Sequence, residues 1–271
     1  MLPRLTRRKF WTTAIALVLL SLSTTILVRE IKSGTGLPER RAASNQLTSL
    51  PPVILWAWER PENLLFIDPQ KTGVAFLAKT VYLRADRVVA RPRLQPLNVP
   101  ENTKLVAVAR IESDRFEPPN LSELVSKNVA SEISQLAKLP NIAMVQVDFD
   151  ATLSEREFYR RLLYELRRQL PESTGLSITA LASWCQGDNW LDQLPVDEAV
   201  PMLFRMGVEK RAFLAQLAAA EGFNSRICRD SAGISTDEPL VGLSAKKRLY
   251  VFNPRGWSVG AVNQLMEDHH K

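Results

Sequence analysis

The sequence predicts an α/β protein built as a (β/α)8 barrel of the TIM type, preceded by one N-terminal transmembrane helix. Three observations lead to this fold class. Apolar runs of strand length recur between Val53 and Phe252, helical patterns lie between several of them, and a basic segment precedes an uncharged apolar run near the start of the chain. Alternating strands and helices indicate a parallel sheet with helices outside it, and about eight strands in roughly 220 residues suit a closed barrel. Because some strands are weak, an incomplete barrel stays an alternative.

The N-terminal segment predicts a membrane anchor. Residues 1–9 form a basic n-region, and residues 10–28 are uncharged. That run reaches the length of a membrane-spanning helix, about 17–25 residues. Basic residues ahead of an apolar segment hold that end in the cytoplasm, so the rest of the chain is expected on the periplasmic or extracellular side. A cleaved signal peptide is the alternative. Residues 29–51 are predicted to be a polar linker, and residues 52–271 the barrel domain.

The charge distribution argues against nucleic acid as a partner. The chain has a formal net charge of +6, and residues 1–41 account for it with eight basic and two acidic residues. The remaining residues are balanced, whereas a nucleic-acid surface needs a basic excess in the folded part. The two histidines, His269 and His270, stand in a polar tail, and the sequence has no glycine-rich phosphate loop. We therefore predict no cofactor and no metal.

The predicted barrel strands begin at Pro51-Pro52, which opens the first apolar run. Val88–Leu97 is predicted to be an edge hairpin, because Pro92 and Pro96 cannot donate to a central ladder. The barrel strands are predicted at Val53–Trp58, Val74–Leu83, Lys104–Ile111, Ile142–Asp150, Leu176–Ser183, Ala199–Met206, Gly233–Thr236 (the weakest) and Leu249–Phe252.

Helix start signals separate some of these runs. Asn120 with Glu123, and Ser154 with Glu157, have the spacing of a capping box. After Ser154, the apolar residues recur at helical spacing and predict a face that packs on the sheet. The members of that face are Phe158, Leu162, Leu166 and Leu170, and two further helices are predicted at Glu209–Glu221, ended by Gly222, and at Ser258–Asp268.

Two cysteines, Cys185 and Cys228, follow the predicted anchor. An exported domain meets an oxidising environment that permits a disulfide. The alternative is two separate buried thiols, because sequence does not show whether the two residues are close.

The strongest functional signal is the segment Val145–Ala151, an apolar strand that ends in acids. Side chains alternate along a strand, so Gln146, Asp148 and Asp150 should share one face. Carboxylates are rarely buried without a partner, and the carboxyl ends of barrel strands are where active sites lie. Asp148 and Asp150 are therefore catalytic candidates.

Other predicted strands also end in polar or aromatic residues. Glu59 is a third catalytic candidate, and the predicted ligand-binding residues are Trp58, Glu112, Trp184, Asp188 and Glu238. Tryptophan faces cover sugar rings and paired carboxylates supply acid and base, so this mixture is typical of a carbohydrate site. The alternative is an ion network of Asp148, Glu112 and Arg110 inside the barrel, with the tryptophans packed under loops.

Four segments resemble a bacterial family of unknown function catalogued under number 3142. They are Ile54–Glu62, Val145–Ala151, Ser183–Asp188 and Val196–Gly207, and the resemblance spans roughly residues 52–257. The family has no established activity to carry over to this chain.

More distantly, the fourth strand is similar to that of the chitinase-like glycoside hydrolases, which has the pattern D-x-x-D-x-D-x-E. Asp148 and Asp150 match the two middle acids, whereas the first position is Val145 and the last is Thr152. The last position holds the catalytic acid in those enzymes. The resemblance therefore implies a barrel and a glycan, and hydrolysis only if a glutamate from another strand (Glu59, Glu112 or Glu238) replaces that acid.

Two functional hypotheses follow. The first is a membrane-anchored, extracytoplasmic barrel that binds or hydrolyses a glycan at a carboxylate cluster. The second is a non-catalytic binding or structural barrel in the cell envelope. A metal-dependent hydrolase with an all-oxygen site is a more remote third. The expected partners are the membrane, through residues 10–28, and a glycan or another envelope component.

Overall fold

The computed structural model describes Leu47 and residues 49–187, 190–219, 222–238 and 247–269. The predicted n-region, the predicted anchor and most of the predicted linker lie outside these residues, as does Asp188. In the part that is described, none of the helices combines the length and the apolar character needed to cross a bilayer.

Eight parallel strands close into a barrel, as the sequence predicts. The first strand pairs with the last, with Val53 opposite Leu249, and also with the next barrel strand, with Val53 opposite Thr72. The alternative of an incomplete barrel is therefore wrong. The strands are β1 (Val53–Ala57), β2 (Glu62–Asn63), β3 (Thr72–Arg84), β4 (Arg87–Pro92), β5 (Leu97–Asn98), β6 (Leu105–Ser113), β7 (Ile142–Asp148), β8 (Gly175–Leu181), β9 (Glu198–Met202), β10 (Ser231–Ser235) and β11 (Arg248–Phe252). All except β2, β4 and β5 belong to the barrel.

The described residues also form five α-helices, which lie between and after these strands along the chain. They are α1 (Glu123–Ser134), α2 (Arg156–Gln169), α3 (Ala182–Gly187), α4 (Lys210–Ala219) and α5 (Val259–His269). Each predicted helix is present, with ends shifted by a few residues. Helix α3 was not predicted. It begins where the predicted strand Leu176–Ser183 was expected to continue.

Both predicted helix caps are wrong by two residues. The N-cap of α1 is Ser122, whose hydroxyl accepts the Val125 N–H, whereas Asn120 donates its side-chain amide to Asp86. Before α2, the capping box joins Thr152 and Glu155 around a short 3-10 turn. The α1 cap thus lies two residues later than predicted and the α2 capping box two residues earlier, because Asn, Ser and Thr can each cap a helix and the apolar spacing does not choose between neighbouring candidates.

The apolar core has two layers. The outer layer lies between the sheet and the helices and includes the predicted face of α2, where Phe158, Leu162 and Leu166 are at most 1% exposed. The inner layer fills the barrel with Leu50, Ile54, Trp56, Ala75, Val106, Val108, Met144, Val200 and Tyr250. Leu50 belongs to the predicted linker, and Arg248, at the start of β11, donates to the Leu47 carbonyl. This segment therefore packs at the amino-terminal end of the barrel.

One wall of the barrel rises above the carboxyl-terminal end. Strands β3 and β6 continue past their neighbours, and β4 pairs antiparallel with β3, from Lys79 opposite Pro92 to Arg84 opposite Arg87. The predicted hairpin within Val88–Leu97 is therefore wrong: residues 88–92 belong to a single edge strand, whose hairpin partner is β3. An irregularity in β3 between Leu77 and Lys79 shifts its register against β6, and a bulge of this kind turns Thr80 rather than Lys79 toward the barrel axis. We call the segment Lys79–Pro92 the ribbon.

Candidate functional site

The carboxyl ends of the barrel strands form the mouth, and an ion pair lies within it. Asp148 ends β7, and its Oδ2 accepts a hydrogen bond from Arg110 Nη1 at 3.2 Å. Its Oδ1 accepts one from Thr179 Oγ1 at 2.7 Å. Arg110 Nε also donates to Glu112 at 2.8 Å. Both oxygens of Asp148 are therefore occupied, and one arginine joins two of the predicted acids.

Burial and the facing opposite charges act in opposite directions on the pKa values of this pair. Burial raises the pKa of Asp148 above its ordinary value, against the opposing effects of the Thr179 hydrogen bond and the Arg110 charge, and the nearby charge of Asp150 raises it further. For Arg110, burial lowers the pKa, but Asp148, Glu112 and Asp150 more than offset it. Asp148 thus holds a proton more readily than an exposed aspartate, while Arg110 stays charged.

Three partly exposed aromatic rings lie beside the ion pair. The Arg110 guanidinium lies over the Trp58 ring, with 5.7 Å from its carbon to the ring centroid. Trp58 meets Phe252 edge to face at 6.4 Å, and Phe252 lies parallel to Phe204 at 5.8 Å. The mouth therefore offers aromatic surface next to charged donors and acceptors, a combination that suits a ring with polar substituents.

Below the mouth, a buried hydrogen-bond network crosses the barrel. Trp56 Nε1 donates to Gln146, and Gln146 Nε2 donates to Ser177 at 3.1 Å. Ser177 in turn reaches Glu198. Gln146, which the sequence placed on the same face as Asp148, is fully buried in this network. Gln146 is therefore a structural residue of the barrel interior, and the site at the mouth extends no deeper than Asp148.

Glu198 is the charged centre of that network. It receives Arg248 Nη1 at 2.8 Å and the Tyr250 hydroxyl at 2.7 Å. The Glu198 side chain is 2% exposed and that of Arg248 is 13% exposed. Sequence reasoning did not single out this pair, because a lone acid and a lone arginine on separate strands carry no pattern.

Glu59 and Glu238 lie in ion pairs near the surface, and Asp150 is exposed just after the end of β7. Glu59 pairs with Arg91 of the ribbon at 2.8 Å, with both side chains more than half exposed. Glu238 receives Arg205 and Lys210 at 2.5 Å and 2.8 Å. These three pairs hold neighbouring loops together, and they leave neither Glu59 nor Glu238 as an unpaired acid.

Trp184 is a packing residue in this structure. Its ring is 5% exposed and meets Trp190 edge to face at 5.1 Å, with Arg156 over the same rings. The prediction placed Trp184 at the mouth because β8 was expected to run to Ser183. Since the chain turns into α3 at Ala182, Trp184 points into the core instead.

A disulfide joins Cys185 and Cys228, whose Cα atoms are 5.9 Å apart. It links α3, which follows β8, to the turn before β10. The structure therefore has the bridged arrangement rather than two separate thiols.

The sequence missed Thr179, Phe204 and Phe252 as residues of the mouth. Thr179 and Phe252 stand at inward positions of predicted strands, so the alternation that selected Asp148 would have found them. Phe204 lies two positions after the end of β9. It falls within the predicted strand Ala199–Met206, two alternations after the inward residue Val200, so the same pattern would have found it as well.

Comparisons with known proteins add little to this geometry. No family model matches the sequence, and no curated protein does. Among solved structures, the chain is similar to the spore cortex-lytic enzyme SleL of Bacillus cereus, with 17% identity and a TM-score of 0.42. The match covers 68% of this chain and 50% of that one, so the chain spans about half the length of its structural neighbour. At this level of similarity the barrel assignment stands on the strand pairing alone.

Proposed function

We propose that the barrel mouth binds a glycan. The observation that carries the proposal is the cluster of partly exposed rings, Trp58, Phe204 and Phe252, beside the Arg110–Asp148 ion pair. Aromatic faces cover the apolar faces of sugar rings, and fixed charged groups hydrogen-bond their hydroxyls. The mouth has both aromatic faces and fixed charged groups at the carboxyl ends of the barrel strands.

Binding without hydrolysis is the better-supported form of this proposal. Asp148 already accepts two hydrogen bonds. Thr152, which stands where the chitinase-like pattern has its catalytic acid, is bonded to Glu155 at 2.8 Å. The three acids that were to replace it, Glu59, Glu112 and Glu238, are each paired with a basic residue. A glycosidase needs one acid and one base that are free to exchange protons with the substrate.

Hydrolysis is the second candidate because of one observation. Burial holds the pKa of Asp148 above its ordinary value, which is the property that a general acid requires. Asp150 is exposed and close enough to affect that pKa, so it is the carboxylate that would act with Asp148.

We also propose that the domain acts outside the cytoplasm, tethered through residues 10–28. The order of basic and apolar residues supports the anchor, and the Cys185–Cys228 disulfide suits an oxidising compartment. The four motif segments support membership of the family numbered 3142. A mature chain that begins after residue 23, released from membranes by alkali, would contradict the anchor.

Glycan binding is tested with the full chain in detergent on an array of N-acetylglucosamine, glucose and galacturonic acid oligomers. Trp58→Ala should weaken binding by at least about tenfold, equivalent to 1.4 kcal/mol. Leu124→Ala is the matched control, because Leu124 is 68% exposed on α1, a helix on the outside of the barrel. Equal binding by the Trp58 variant, or no binding to any oligomer, would refute the proposal. New reducing ends, lost in Asp148→Asn, would favour the hydrolase instead.

A further inference from the structure

The ribbon presents one open face that continues the wall of the mouth. Tyr82 of β3 lies in register between Val89 of β4 and Glu112 of β6, and Thr80 lies between Arg91 and Arg110. Residues in register across neighbouring strands share a face of the sheet. The Arg110 side chain at the mouth and the Tyr82 side chain on the ribbon therefore lie on one continuous surface.

The opposite face of the ribbon is used for packing. Val81 and Leu83 are fully buried in the outer core layer, whereas Val89, on the Tyr82 face, is 53% exposed. The ribbon is also fixed to the mouth, because Arg93, the residue directly after it, donates to the backbone carbonyls of Trp58 and Arg60. The open face is therefore held at a set position beside Trp58.

A cleft of about 490 Å³ runs along this open face. It is joined to the mouth through one side chain, since Glu112 lines the cleft and also accepts the hydrogen bond from Arg110. The far end of the cleft is formed by Phe116, whose side chain is 96% exposed. The full lining is Tyr82, Arg84, Arg87, Val89, Glu112, Ser113, Asp114, Arg115 and Phe116.

Three arginines and two acids line the cleft, and two of the arginines form ion pairs. Arg84 pairs with Asp114 at 2.6 Å, and Arg87 pairs with Glu117 at 2.8 Å. Hydrogen-bond donors and acceptors thus both line the cleft, together with the rings of Tyr82 and Phe116. This is the same combination of aromatic surface and paired charges as at the mouth, repeated farther along the same wall.

The length of the wall decides what it can accommodate. From Thr80, level with Arg110, to Arg84 at the tip, the strand rises about 13 Å at about 3.3 Å per residue. A single sugar placed on Trp58 would leave that surface empty. We propose that the mouth and the ribbon cleft together form one elongated groove for a polymeric glycan chain, running from Trp58 to Phe116. This inference rests on the proposed function and specifies its ligand as a chain rather than a mono- or disaccharide.

The experiment compares two-unit and six-unit oligomers of N-acetylglucosamine, glucose and galacturonic acid by calorimetry on the full chain. A longer chain gains on the order of fivefold from statistics alone, since it offers more binding frames. In at least one series we expect the six-unit oligomer to bind more than about tenfold tighter than the two-unit one. Phe116→Ala should reduce that gain to the statistical factor of about fivefold and leave two-unit binding unchanged.

Two controls separate a groove from a folding defect. Phe116 is almost fully exposed, so its loss should not change the melting temperature. Leu124→Ala should keep the full gain with chain length. The inference is overturned if the six-unit oligomer gains no more than the statistical factor of about fivefold in every series, or if Phe116→Ala keeps the larger gain. In both cases binding that depends on Trp58 leaves the proposed function standing, whereas no binding by any oligomer refutes both.

Discussion

Replacing Glu198 tests whether the buried network holds the barrel together. Glu198 and Arg248 are almost fully buried, and Arg248 Nε has no acceptor among the described residues. Removing one partner of a buried ion pair costs about 3–5 kcal/mol, because the other charge is left uncompensated. Glu198→Gln keeps an acceptor for the Tyr250 hydroxyl, so its loss of unfolding free energy should be near the lower value, about 3 kcal/mol. Glu198→Ala also leaves a void and should approach 5 kcal/mol.

The assay is urea unfolding with the disulfide intact, supported by thermal melting. A loss of about 3 kcal/mol should lower the melting temperature by roughly 6–12 °C in a domain of this size. The matched control is Glu117→Gln, which removes the same charge from the pair with Arg87, where both side chains are more than half exposed. Exposed pairs of this kind contribute less than about 1 kcal/mol.

A double-mutant cycle gives the refuting result. Adding Arg248→Met to Glu198→Gln removes the uncompensated charge, so the double variant should recover most of the stability lost by the single one. Strictly additive losses would show that the two residues do not act as a pair. A Glu198→Gln loss as small as that of Glu117→Gln would show that water reaches the network.

Three further outcomes follow from the structure. Burial raises the pKa of Asp148 in the folded state above its unfolded value of about 3.9. The protonated Asp148 side chain therefore contributes its full stabilisation below the unfolded pKa, and that stabilisation is lost as the pH rises through the folded pKa. Asp148→Asn should therefore flatten that decline in urea titrations between pH 3 and pH 7, and an unchanged slope would contradict the assignment. Leu162→Ala should cost about 2–5 kcal/mol in the same assay, since Leu162 is fully buried, and a loss below about 0.5 kcal/mol would mean that α2 does not pack as described. Replacing both Cys185 and Cys228 by serine should cost about 4 kcal/mol for a loop of 43 residues, a figure that reduction of the wild type should reproduce.

The barrel could be predicted because its signals are local. Apolar runs and helical spacing repeat along the chain, and each strand needs only its own residues to be recognised. The position of Asp148 at the mouth followed from the same local alternation. Its pairing with Arg110 stayed an alternative, because the register between β6 and β7 depends on contacts between distant segments.

The errors have physical causes that a single sequence does not show. Trp184 was placed at the mouth because hydrophobicity continues from β8 into α3, although the backbone changes from extended to helical at Ala182. Thr80 lies toward the mouth because of an irregularity after Leu77, and such irregularities have no reliable residue signature.

Closure of the barrel makes the first and last strands depend on each other during folding. The Trp257 indole donates to the Trp56 carbonyl, and Arg60 donates to the carbonyls of Asn253 and Pro254. Side-chain hydrogen bonds thus join β1 and β11 in addition to the backbone hydrogen bonds between the two strands. Pairing between segments so far apart in sequence is slow to form. Until β11 has been made, β1 and β10 each expose an unpaired edge that can recruit other chains. A chain truncated before Arg248 therefore keeps two open strand edges, and it should aggregate or be degraded rather than persist as a smaller domain.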